Sequence, residues 1–108
     1  MTRYLFEFQL TPQAFAALMK APQDRAQALR PLTEAAGGKL EGYYFAVGSS
    51  TAYVLGYYPD EVTAEAAAMI VLAGGAVASI KGTAILTSAE AVEAMKKAAK
   101  LAYKPPSA

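Results

Sequence analysis

A chain of 108 residues has room for one domain with its own core, and 55% hydrophobic against 18% charged residues excludes disorder. It also leaves more apolar surface than one small subunit can hide. Ten Lys/Arg against nine Asp/Glu give a net charge of +1, which supplies no long-range field to steer nucleic acid or anionic lipid. With no His and no Cys, the common zinc, copper and haem ligand sets and the Cys–His and Ser–His–Asp arrangements are excluded, so any acid–base chemistry falls to Glu, Asp, Lys or Tyr.

The first element reads as a strand. Over residues 3–10, Tyr4, Phe6, Phe8 and Leu10 alternate with Arg3, Leu5, Glu7 and Gln9, a period of two that puts the sets on opposite faces. Thr11-Pro12 opens a helix, Thr as N-cap and Pro set for the first turn, with Phe15, Leu18 and Met19 at helical spacing. Ala21-Pro22 breaks it. A second helix starts near Asp24 and turns Ala28, Leu29 and Leu32 inward; Pro31 removes a backbone donor inside it, so a kink or break is expected near Arg30. Gly37-Gly38 closes that segment.

Residues 39–47 are rich in aromatics and read as a second strand, Gly48-Ser49-Ser50 as a turn, and residues 51–58 as a third strand that completes a hairpin. Pro59-Asp60 stops it, and Asp60 or Thr63 caps a helix running to about Ala73. Gly74-Gly75 ends this helix and precedes a strand, the reverse of the order in a phosphate-binding fingerprint. Residues 77–86 read as the fourth strand. Thr87-Ser-Ala-Glu90 is a capping box, and the last helix sets Val92, Met95, Ala99 and Ala102 on one face, with lysines near its end. One domain over residues 1–103 and a tail over 104–108 follow.

This order is that of an α+β, ferredoxin-like βαββαβ domain: a four-stranded antiparallel sheet with helices on one face, plus a C-terminal helix. The other face is expected to be covered. Tyr43, Phe45, Tyr53, Leu55 and Tyr57 leave strands two and three apolar on both sides, where a face open to water would alternate. The helix over residues 64–73 is apolar nearly all round, as in a helix buried on more than one side. Both features point to a homo-oligomer. The longest uncharged run, Ala66 to Ile80, is too short for a bilayer span of about 18 residues or more. Glu7 interrupts the apolar start, so no signal-peptide pattern is read and a cytoplasmic location is expected.

Four stretches together resemble the GYD family of small ferredoxin-like proteins related to the dimeric α/β-barrel proteins. They are Thr11-Pro12, Gly37-Gly-Lys-Leu-Glu-Gly-Tyr-Tyr-Phe-Ala-Val-Gly48, Pro59-Asp60 and Leu86-Thr-Ser-Ala-Glu90. The resemblance implies an oligomer, with ligand binding as its expected role and no established reaction. The Gly-Tyr-Asp element that names the family is not kept: the turn after strand two reads Gly48-Ser49-Ser50-Thr51. Nothing attached to that carboxylate transfers here.

The candidate ligand-binding residues are Glu7, Gln9, Tyr43, Tyr53 and Tyr57, on the sheet face away from the helices. Tyrosine rings pack a small apolar or aromatic molecule there and their hydroxyls orient it. Covered by a second subunit, Glu7 would be a carboxylate with a raised pKa, a ligand anchor or general base; its ordinary role is an ion pair with Arg3 or Lys81. No catalytic residue is assigned, and no metal, cofactor or nucleic acid is expected. The readings are, in order, a homo-oligomeric small-molecule-binding module, a structural or regulatory oligomer without ligand, and a cofactor-independent α/β-barrel-type enzyme using Glu7.

Overall fold

The computed structural model describes residues 1–107. The elements run β1 (Thr2–Leu10), α1 (Pro12–Lys20), α2 (Arg25–Ala35), β2 (Lys39–Phe45), β3 (Thr51–Tyr58), α3 (Glu61–Ala73), β4 (Val77–Ile85) and α4 (Ser88–Ala98). The strands form one antiparallel sheet in the order β2-β3-β1-β4. Each helical crossover therefore passes over one strand: β1 to β2 over β3, and β3 to β4 over β1. This is the ferredoxin-like plan, with two helices in its first crossover and α4 appended.

Alternation places the core. Tyr4, Phe6, Phe8 and Leu10 of β1 and Ala52, Val54 and Tyr58 of β3 point toward the helices and are buried, joined by Leu29, Leu40, Ala64, Ala67 and Val77. Tyr4 and Phe6 stack at 5.7 Å between centroids, and Tyr58 meets Phe6 edge-on at 5.9 Å, offset and T-shaped geometries that aromatic quadrupoles favour. Thr33 of α2 is fully buried, its hydroxyl 3.3 Å from that of Tyr58.

Two sequence expectations change. α2 runs through Pro31 with no break. Pro31 and Gln27 are both exposed, so the carbonyl that loses its donor faces water and the cost of the missing hydrogen bond is small. The second change is in β2, where pairing with β3 slips between Leu40 and Gly42. Glu41 is the extra residue of a β-bulge, and every side chain after it changes face. Gly42 suits this place, since a Cβ there would lie 2.6 Å from the Tyr44 ring.

α3 and α4 leave the most apolar surface uncovered. On α3 only Ala64 and Ala67 are buried, while Val62, Met69 and Ile70 are exposed. α4 buries no residue. It extends from the sheet as an arm, and the radius of gyration is 17.4 Å where a compact domain of this length has about 13 Å.

Candidate functional site

A cavity of ligand size is on the helix side of the sheet. It is a cleft of about 410 Å³ between α1, α2 and α3 at the Leu10 end of β1, within the range of small-molecule sites. Phe8, Leu10, Leu18, Leu29 and Val71 give it apolar walls, and Gln23, Arg25 and Tyr43 give it a polar end. Asp24 caps α2 by accepting from the Ala26 amide at 2.9 Å, which sets Arg25 in the first helical turn. The Arg25 guanidinium donates to Gln23 Oε1 at 2.8 Å. Tyr43 is held by ring contacts, edge-on to Phe8 at 6.2 Å and tilted against Phe45 at 5.5 Å, while Phe15 of α1 meets Phe45 at 6.3 Å. Burial pushes the Tyr43 phenol up from its usual pKa, and the Arg25 charge beside it partly offsets that.

The opposite face of the sheet carries Glu7, Gln9, Tyr53 and Tyr57, four of the five residues singled out from the sequence, on adjacent strands. Tyr43 is not with them. An unbroken strand would put it on the face of Lys39 and Glu41; the bulge turns it into the cleft and brings Tyr44 opposite Tyr53 instead.

The polar groups of this open face engage one another. Arg3 Nε donates to Glu41 Oε1 at 2.8 Å, its Nη2 donates to the Tyr57 hydroxyl, and its guanidinium carbon lies 4.6 Å from the Tyr57 ring centroid. Gln9 donates to Thr51 Oγ1 at 2.8 Å and accepts from Ser50 Oγ at 3.1 Å. Glu7 Oε2 lies 4.0 Å from Lys81 Nζ, so Lys81 is its partner and Arg3 belongs to Glu41 and Tyr57. Glu7, Gln9 and Tyr57 of this face are thus already paired with neighbouring side chains.

Sequence reasoning passed over Gln23 and Arg25. A signal was present: Arg25 puts a cation in the first turn of a helix, where the macrodipole disfavours it, with only the Asp24 N-cap carboxylate to offset it. A residue set against its local electrostatics is a reason to look for a role elsewhere. Among the described residues no cluster of three or more acidic side chains is arranged to hold a metal ion, and no helix is long and apolar enough to cross a membrane.

Fold and cleft together define a ferredoxin-like α+β domain with a ligand-sized apolar cleft lined also by Gln23, Arg25 and Tyr43. The model of the GYD domain matches residues 4–99, and the chain belongs to that family. No curated protein matches it.

Proposed function

We propose that this protein is a self-associating small-molecule-binding module whose ligand is an apolar molecule with one anionic end, held in the helix-side cleft. The observation that carries this is the pairing of an apolar 410 Å³ cavity with one cationic group, Arg25, beside the Tyr43 hydroxyl. Apolar walls bind the body of such a ligand, while a guanidinium and a phenol fix and orient a carboxylate at its end. The open face, with Glu7, Gln9 and Tyr57 already engaged, serves contact with a second copy in this reading. The exposed apolar residues of α3 and α4 support self-association in the same way.

Seven tyrosines and no tryptophan make intrinsic tyrosine fluorescence the natural readout. Dodecanoate and dodecanol share an apolar chain and differ in charge. Dodecanoate is expected to bind about tenfold more tightly, as a charged hydrogen bond of roughly 1.5 kcal/mol or more implies, and Arg25→Ala to abolish the difference. Equal binding of the two, or binding of neither, would sink this reading. A structural oligomer without ligand is the second reading, supported by the exposed Val62 and Met69 of α3. The enzyme reading has less behind it, because Glu7 stands beside the Lys81 ammonium, which favours its ordinary role as half of an ion pair.

A further inference from the structure

A second groove, about 300 Å³, separates α3 from β4 on the helix side of the sheet. Tyr4 and Phe6 form its floor, and Ala64, Ala68 and Leu72 line its α3 wall. On the β4 side Gly82 has no side chain to fill it, and its Cα stands over the Phe6 ring, where an added Cβ would lie 2.9 Å from Cε1. Tyr4 is only 8% exposed, yet among the described residues its buried hydroxyl has no hydrogen-bond partner. Buried polar groups normally find partners, so a groove with an orphan hydroxyl in its floor is incomplete.

The same chain carries a helix short enough to lie within the length of this groove. α4 is 11 residues, about 16 Å long, against about 30 Å for the nine-residue β4 that bounds the groove. Its apolar side is built from alanines with Val92 and Met95, which are 44% and 65% exposed. Small residues on both α3 and α4 permit close helix approach.

Charge decides which copy supplies the helix. Glu61 and Glu65 of α3 line one end of the groove, the end where β4 finishes, because α3 and β4 run in opposite directions. α4 has Glu90 and Glu93 in its first half, with Lys96 and Lys97 in its second and Lys100 and Lys104 just beyond. Only Leu86 and Thr87 separate it from β4. Folded back on its own groove, α4 would run parallel to α3 and set Glu90 and Glu93 beside Glu61 and Glu65. A helix from another chain can enter the other way round, with its lysines against those glutamates and the two helix dipoles opposed.

We propose that α4 of one copy docks antiparallel to α3 in the α3–β4 groove of a second copy, a reciprocal exchange of C-terminal arms that completes the helix layer of both. It rests on the self-association proposed above and names the segment and the groove that make it. Two-fold symmetry satisfies both grooves with one kind of contact and closes the assembly.

The chain has no cysteine, so Ala68→Cys on α3 and Met95→Cys on α4 report the contact without background. The two full-length variants, one carrying a mass tag, are mixed, oxidised and run on a non-reducing denaturing gel. A mixed disulfide forming about tenfold or more faster than either like pair is the expected result. An intramolecular bridge in the double variant at low concentration would mean that α4 closes on its own groove, and would overturn the exchange. No mixed bridge in a protein that light scattering still finds oligomeric would overturn it too, while leaving self-association standing; a monomer would overturn both. Met95→Asp gives an independent check. Its side chain is exposed in the single chain, so the monomer folds as before, and the self-association Kd is expected to rise about tenfold or more. An unchanged Kd would place α4 outside the interface.

Discussion

β2 and β4 are both edge strands of one sheet, and each buries one core residue, Leu40 in β2 and Val77 in β4, but large rings extend the cover along β2 only. On the helix side β2 presents Leu40, Tyr43 and Phe45, which reach α1 and β1 through Phe15 and Phe8. β4 presents Ile80, Gly82 and Ala84 there, and the last two are exposed. The difference is one of side-chain volume. Large rings span the gap to a helix about 10 Å above the sheet; glycine and alanine do not, and the space they leave is a groove. A half-filled edge of this kind is where a second chain gains most by docking.

Several substitutions sharpen or break this contrast. Leu40→Ala, on the covered side, is expected to cost about 2–5 kcal/mol in urea unfolding. Val92→Ala, on the arm, should cost under about 0.5 kcal/mol at concentrations where the chain is monomeric. Similar losses from the two would erase the distinction. Gly82→Ala forces a methyl group against the Phe6 ring, 2.9 Å away, and is expected to cost about 1–3 kcal/mol. A neutral result would mean that the ring swings freely into the groove.

A smaller effect belongs to the covered side. Thr33→Val removes the hydroxyl that meets the Tyr58 hydroxyl and the Leu29 carbonyl, at 3.3 and 3.4 Å. Both contacts are long, so a loss of about 1 kcal/mol or less in thermal unfolding is expected.

The mildest test is acid titration of the caps. Asp60 accepts from the Thr63 amide at 2.8 Å and Glu90 from the Thr87 amide at 2.9 Å, and these hydrogen bonds hold both carboxyls below the ordinary carboxylate range. Their contribution to stability is complete above the unfolded-state pKa and disappears as pH falls through the lowered folded-state values. Asp60→Asn should flatten the acid limb of stability against pH, followed by circular dichroism. An unchanged limb would assign the acid sensitivity to other carboxylates.

Much of the fold was legible residue by residue. The alternation of β1, the Thr11-Pro12 and Asp24 helix starts and the Thr87–Glu90 capping box are local patterns governed by local energies, and each stands where the spacing placed it. Pro31 was read as a kink or break because its cost was counted without knowing that the freed Gln27 carbonyl faces water. The site was less legible. Tyr43 was grouped with Glu7, Gln9, Tyr53 and Tyr57 because strict alternation after Lys39 leads there. Gly42 inside the strand was the available sign of a bulge.

The amino-acid order by itself determined the elements, their sequence and the plan of a sheet with helices on one face, because capping, turn chemistry and hydrophobic period act over a few residues. Which face each β2 side chain occupies was decided only in the tertiary structure. A one-residue bulge depends on how β2 pairs with β3, and it moves Tyr43 from the open face into the cleft. The cleft and the α3–β4 groove are likewise products of assembly. Both are volumes left between elements, set by how large side chains from distant parts of the chain meet, and no window of neighbouring residues encodes a volume.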